Sequence, residues 1–545
     1  MTDTAGSQSE STAVSHGNSS LPRQLTDGIA CLALAVILFR TFAVEGYIIS
    51  TGSMAPNLLG FHKRVVCPAC HFPFSVGVPH DRIDAIQQPA ACPNCGQKRI
   101  RIRNIPRNEG DQLLVHKHAF SFRPPRRWET AVFQNPNKPT EIFVKRIVGL
   151  PAERLQVVHG DIYVNEKIQR KNLVQQLSIR VPVYDFDHKP TDDPLWQPRW
   201  VADSRWNRTS RGFQIDSATS DQPPAREINW VRYRHWIRSG GVHKSSVEIA
   251  GQPISEELKE NSVTQVRFEP TTNALTCTGV LRADVRDQLL ANLYDPRTKQ
   301  AVRQLESASH VAPILDSYGY NREATGPSRN RVTDLMLALR LSNLNGNGQL
   351  LIRMAYRQLG FVCVFDFPAK EVRIHANNNP KPLRTFRFET GDSTSLEIEM
   401  SVMDRQVLVA VNNRQIGTLP FDHKRPDKSD AANSTNPWPV QFGVYDLGVS
   451  VDSIKLYRDV YYTGGIARHG IGKPFQLGAD EYFVLGDNSP VSHDSRDWET
   501  ATVKKVQLVG KPFLVHLPSR PGRIKIGEYQ SNIRIPDISR IRYIH

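Results

Sequence analysis

Hydrophobic and polar positions divide this chain into one apolar run near its start and many short alternating runs after it. Gly28 to Phe39 is uncharged and mostly apolar, and beyond Arg40 the run resumes from Thr41 to Val44. Counted through Val44, with Arg40 reaching toward the interface, it has 17 residues, the low end of what crosses a bilayer. Residues 25–46 are therefore read as a transmembrane anchor. Residues 1–24 are polar, have no Lys or Arg before Arg23, and read as a disordered tail. A cleaved signal peptide is the rival reading, but it wants a basic start.

After the anchor the pattern is of β type. Gln112–His116, Ile142–Val148, Leu155–Val158 and Ile162–Val164 fit strands. Pro124-Pro125 and the stretch 135–139 mark loops. From 167 to about 465 the chain changes character. The first part of this stretch carries many Trp, Arg, Pro and Asp residues with little periodicity. In its second part Leu396, Ile398, Met400 and Val402 alternate with polar residues, as do Val407, Val409 and Val411 before a turn at 412–415. Phe442–Val444 and Val449–Leu456 add strands, and the spacing fits an antiparallel sandwich. The 409–416 hairpin with the two later strands loosely resembles concanavalin-like jelly rolls.

At 545 residues the chain exceeds one ordinary core, so two or three domains are expected. A net charge of +15 suits a lipid surface or another anion, or is simply a basic solvated surface. No Lys/Arg block or basic stripe with regular aromatics is present, so no nucleic-acid partner is expected.

Four of the seven cysteines fall in two knuckles, Cys67-Pro-Ala-Cys70 and Cys92-Pro-Asn-Cys95-Gly96. This spacing fits a tetrahedral four-cysteine zinc ribbon, with Gly96 easing the second turn. Two disulfides or a dithiol redox pair are the alternatives. His71 and His80 read as loop residues. Cys31, Cys277 and Cys363 read as buried or free thiols.

The chemistry-bearing segments are Tyr47–Leu58 with Gly52-Ser53-Met54, Gly110–Val115, Val144-Lys145-Arg146-Ile147, Gly160–Asn165, and Gly486-Asp487-Asn488 through Ser492, Asp494 and Arg496. A serine attacks an amide only when a base takes its proton. A lysine can be that base if an apolar site keeps it neutral, which needs a fall of two to three units, or roughly 3–4 kcal/mol, from its reference near 10.4. Arg146, next along the same strand, should face the other way.

In their order and residues these segments resemble the boxes of type I signal peptidases, the membrane-bound Ser/Lys endopeptidases of peptidase family S26. The resemblance implies a mainly β catalytic core on one transmembrane helix, with a four-cysteine zinc ribbon and a β-sandwich inserted. Its segments would be 47–66, 104–170 and 466–545 (the last with a C-terminal extension), interrupted by the ribbon at 67–103 and the insertion at 171–465. It implies Ser53 as nucleophile and Lys145 as base, with the Ser53 N–H and the Thr51 hydroxyl as oxyanion donors. Ser492 would hydrogen-bond and orient Lys145. Arg146 would pair with Asp487, and Asp494 and Arg496 would complete the support. His493 stands at a variable position and is expected to face solvent.

The implied activity is removal of signal peptides from exported preproteins that carry small residues at the first and third positions before the cut. No catalytic cofactor is expected, only structural zinc held by Cys67, Cys70, Cys92 and Cys95. The implied location is the cytoplasmic membrane, single-pass, with the tail inside and the catalytic domain outside, in contact with lipid. The competing reading is a membrane-anchored ligand- or carbohydrate-binding protein on a peptidase-like scaffold, its ligand taken by the sandwich. Because all the reacting groups lie in the flanking segments, the insertion is expected to be accessory. Its ends should lie close together, and a linker in place of 171–460 should preserve cleavage of a short peptide.

Overall fold

The structure is a computed structural model. It describes residues 21–79, 89–193, 196–217, 227–238, 240, 244–250, 265–321, 330–377, 379–390, 394–422, 438–464, 468–516, 518–526 and 529–544. Residues 1–20 of the expected tail, His80, and the expected insertion boundary at 465 lie outside this set.

The apolar run forms a helix, Leu21–Phe42, whose stretch Leu21–Leu38 buries none of its apolar surface against the other described residues. Its 22 residues rise about 33 Å, close to the hydrocarbon thickness of a bilayer. It begins inside the segment read as tail and ends before residue 46. Val44–Ile48 instead forms an antiparallel strand on Gln112–His116. That alternating stretch satisfies its backbone in the sheet, and so places the Ser53 segment directly on that sheet.

An eight-stranded antiparallel sheet carries the core. Its order is Val44–Ile48, Gln112–His116, Leu508–Val515, Thr130–Asn135, Lys138–Gly149, Glu481–Leu485 and Val503–Lys504, with Arg542–Tyr543 added on Leu508–Val515. A four-stranded sheet of Lys167–Ile168, Asp161–Val164, Arg154–Val158 and Phe475–Gln476 continues it.

The cysteine ribbon is larger than its expected span. Its three-stranded sheet takes His62–Val66 and Arg107–Asn108 from outside 67–103, with His62–Val66 in the centre between Pro73–Gly77 and Arg107–Asn108. Each knuckle is closed by a backbone bond onto its first cysteine, His71 N–H to Cys67 O and Gly96 N–H to Cys92 O, both 2.9 Å. Both closing residues adopt positive φ, 57° and 77°.

The insertion holds the expected sandwich. Sheets of eight and seven antiparallel strands enclose one large core that includes Trp200, Phe213, Phe365, Ile398 and Phe442. Leu396, Ile398, Met400 and Val402 all face this core, as their alternation predicts. The aperiodic first part is less irregular than expected. Helices Ala283–Asn292 and Pro296–Ser309 pack on a three-stranded sheet around Leu275, Leu289, Val302 and Leu305. Asp295 caps the second helix by accepting from Thr298 N–H.

Buried charge ties the first residue of the insertion to its later strands. Lys171 Nζ lies 2.5 Å from Asp404 Oδ1 and 2.9 Å from Asp459 Oδ2, above the Trp128 ring. Its two ends do meet, since Lys171 contacts Asp459 and Gly160 bridges Tyr462.

Candidate active site

Ser53 sits in a turn that follows the first core strand. Met54 and Ala55 are fully buried beside it, and Met54 packs with Ile49, Leu58, Leu113 and Val132. The turn is closed by Ala55 N–H to Gly52 O and Leu58 N–H to Met54 O. An apolar residue directly after the serine thus pins the loop while its hydroxyl stays at the wall of a cleft of about 640 Å³.

Lys145 reaches the same point from the Lys138–Gly149 strand. Its Nζ is 2.5 Å from Ser53 Oγ, and both residues are buried. Burial lowers the Lys145 pKa to about 8, against the opposing pull of Asp494 and Asp487. Arg146 points to the opposite face, as strand alternation requires. It grips Asp487 with Nε to Oδ1 and Nη2 to Oδ2, both 2.7 Å, and donates to Trp128 O at 2.6 Å. Asn57 Nδ2 adds a 3.0 Å bond to Asp487 Oδ2, tying the Ser53 turn to this pair.

Asp494 and Arg496 form a second bidentate pair at 2.9 and 2.8 Å. Asp494 Oδ2 also accepts from Gly486 N–H. Burial would raise the Asp494 carboxyl, but the Arg496 guanidinium and this N–H outweigh it and hold it below the usual carboxylate range. Arg496 further donates to Thr463 O and to Ser489 Oγ. Gly486 itself permits close approach, because a Cβ there would lie 2.5 Å from Ser53 O and 2.2 Å from Ser492 Oγ.

One expected contact is not made. Among the described residues Ser492 Oγ is buried without a hydrogen-bond partner, and Lys145 has Ser53 as its hydroxyl neighbour. The short turn Ser489–Val491 sets the serine beside Gly486, and the lysine amine is already directed to Ser53. Thr51 is exposed on the cleft wall. His493 is exposed and edge-on to Trp498.

Sequence reading gave no role to several other residues at the site, Asn488 of the 486–488 segment among them. Asn488 Nδ2 donates to Gly52 O at 2.9 Å and to Asn321 Oδ1 at 2.8 Å. Tyr320 and Asn321, from the insertion, line the cleft with Ser53 and Lys145. The insertion, expected to take no part in the chemistry, thus reaches the cleft wall: Tyr318 to Asn321 is a polar and aromatic stretch folded back onto the Ser53 turn. The C-terminal tail is also more than a surface extension. Arg540 and Arg542 each place Nη2 2.9 Å from an Asp111 carboxylate oxygen, Asp111 accepts from Leu59 N–H, and Arg542 also donates to Asn57 O. A pairing between residues more than 400 apart leaves no local pattern to read.

Cys67, Cys70, Cys92 and Cys95 converge with all four sulfurs within 4.8 Å of one another. Cys67 and Cys95 are 3.6 Å apart, and Cys70 and Cys92 3.7 Å. Tetrahedral zinc with bonds of about 2.3 Å places its sulfurs about 3.8 Å apart, whereas a disulfide brings them to about 2.05 Å. The cluster fits a metal, and these cysteines are unpaired as disulfides.

Residues 106–199 and 402–517 match the family model for signal peptidase, peptidase S26. The match includes Lys145 and the 486–496 segment and leaves out Ser53. Signal peptidase I of Leptolyngbya laminosa is 38% identical over 73 residues, 12% of this chain and 36% of that protein. A probable signal peptidase I-2 of Synechocystis sp. is 36% identical over 103 residues, 18% of this chain and 44% of that protein. The chain thus spans less than half the length of these relatives. Among solved structures, a carbohydrate binding module from Bacillus subtilis overlaps 48% of this chain and 92% of its own, at 8% identity and a TM-score of 0.19, too low to bear on the sandwich's role. Over these two segments the chain is similar to signal peptidases of peptidase family S26.

Proposed function

We propose that this chain is a membrane-anchored serine endopeptidase that removes signal peptides from preproteins. The observation that carries the reading is the 2.5 Å approach of Lys145 Nζ to Ser53 Oγ in a buried site. In the reaction, neutral Lys145 takes the Ser53 proton as Oγ attacks the scissile carbonyl. The Ser53 N–H and the Thr51 hydroxyl stabilise the oxyanion. The proton passes from Lys145 to the leaving amine, and an ester joins the signal peptide to Ser53. Lys145 then takes a proton from water as the water oxygen attacks the ester, and returns it to Ser53 Oγ as the acyl–Oγ bond breaks, which restores both groups.

The cleft suits an extended peptide. Val44–Ile48 is the outermost strand of the sheet, and Glu481–Leu485 pairs with its neighbour only from Arg146 onward. Ile142 to Val144 therefore offer an edge to an added strand among the described elements. The Leu21–Phe42 helix would hold this cleft at the membrane surface, with the preceding tail inside and the sheet outside. Small side chains are the expected preference at the first and third positions before the cut. The test is cleavage of a preprotein by the purified chain in detergent, with Ser53→Ala as control. Cleavage at the signal junction by wild type alone supports the reading. Equal cleavage by both, or by neither, rejects it.

A further inference from the structure

We infer that the insertion supplies positioning residues to the catalytic site, with Tyr318 and Asn321 fixing the backbone that presents Ser53; this rests on Ser53 being the nucleophile.

The connection runs through two peptide planes. In the first, Asn488 Nδ2 holds Gly52 O at 2.9 Å. Gly52 O and the Ser53 N–H belong to one planar unit and point in opposite directions across it. Fixing the oxygen therefore aims the N–H, which is the proposed oxyanion donor. Asn488 is in turn held by Asn321 through two reciprocal amide bonds, 2.8 and 2.7 Å. In the second plane, Tyr318 Oη donates to Asp487 O at 2.8 Å, and the N–H at the other side of that peptide, from Asn488, donates to Ser53 O at 2.9 Å. One insertion residue thus acts on each peptide that flanks the Ser53 α-carbon.

Tyr320 closes the arrangement sterically. A Cβ on Gly52 would lie 2.1 Å from its ring and one on Gly77 2.3 Å. Tyr320 Oη donates to Phe61 O, and Tyr320 O accepts from Gly77 N–H. The segment is thereby wedged between the nucleophile turn and the cysteine ribbon. Gly319 packs on Pro93 of the second knuckle, where a Cβ would lie 2.7 Å from the proline ring. Asn94 fixes the ribbon to the insertion at Asp185 and His188. Ribbon and insertion together brace the loop beyond its own turn, the packing of Met54 and the bonds of Asn57 to Asp487 and Arg542.

Preorganised donors matter through their direction. Losing an oxyanion donor outright lowers kcat about 100- to 1,000-fold, so loosening one should lower it by about tenfold and leave substrate binding nearly unchanged. The experiment uses full-length protein in detergent and a short peptide with alanine at the first and third positions before the cut. The variants are Asn321→Leu, which keeps size and removes both amide bonds, and Tyr318→Phe, which removes one oxygen. Backbone amide exchange over residues 50–58 is measured in parallel.

The inference expects a kcat about tenfold lower in Asn321→Leu, a smaller fall in Tyr318→Phe, KM within about twofold, and faster exchange over 50–58 with an unchanged melting temperature. Unchanged kcat and exchange in both variants would overturn it. So would a loss of kcat that only tracks a loss of melting temperature. If wild type cleaves no peptide while exchange still responds, the peptidase reading fails and the bracing of the loop stands. If Ser53→Ala is dead while neither variant changes kcat or exchange, the peptidase reading stands and the bracing fails.

Discussion

Lys145 Nζ and Ser53 Oγ meet at 2.5 Å with both residues buried, and the pH at which that contact becomes reactive follows from the burial. The amine must be neutral to accept a proton, and burial brings its pKa down to about 8. Cleavage should therefore be weak near pH 6, rise about tenfold per unit, and level off above pH 8. A pH–rate profile of kcat/KM on a short peptide checks this. A flat profile between pH 6 and 9 would contradict it.

The same shift makes a stability prediction. Lys145 titrates near 10.5 in the unfolded chain and near 8 when folded, so the unfolded state holds the proton more tightly. The penalty is full below pH 8 and disappears as pH rises toward 10.5. A fall of two to three units corresponds to about 3 kcal/mol. Lys145→Met should thus melt higher than wild type at pH 7, with a smaller gain at pH 9.5, while abolishing cleavage. Thermal melts at the two pH values measure it.

Arg146 and Asp487 are a buried bidentate pair. Removing one partner leaves a buried charge unpaired, which costs about 3–5 kcal/mol. Asp487→Ala should lose that much in denaturant unfolding and should free Asn57 as well. Replacing both with apolar residues should lose less, because no orphan charge remains.

The cysteine cluster should carry about one zinc per chain. Elemental analysis of purified protein tests this directly. Cys92→Ser should lower the metal content and expose the ribbon to proteolysis, since Ala90, Ile100 and Ile102 pack around the cysteines. Metal-free protein with oxidised cysteines would replace zinc with disulfides.

Legibility in the sequence followed the range of the interactions. The strands at 112–116, 155–158 and 396–402 were readable because alternation is local. The two knuckles were readable because metal ligands repeat at short spacing. The Ser53 and Lys145 segments were readable because each box keeps its residues together, and strand alternation alone set Arg146 opposite Lys145. Helix 296–309 was missed although Ala301, Val302 and Leu305 lie on its buried face, because its other positions are strongly polar.

Tyr318 and Asn321 were illegible for a different reason. They lie in an irregular stretch, and their meaning comes from Asp487 and Asn488, more than 160 residues away. The same holds for Lys171 with Asp404 and for Arg542 with Asp111. A linker in place of 171–460 would remove Lys171, Tyr318, Tyr320 and Asn321 together, so cleavage of a short peptide by that variant tests the expectation that the insertion takes no part in the chemistry.

The central claim is that Ser53 and Lys145 form the reacting pair. The most direct measurement is cleavage of a preprotein by wild type, Ser53→Ala, Lys145→Ala and Lys145→Arg, each checked for folding and anchoring. The account predicts a cut at the signal junction by wild type and none by any of the three variants, Lys145→Arg included because a guanidinium stays protonated near neutral pH. Undiminished cleavage by a folded Ser53→Ala or Lys145→Ala variant would contradict it.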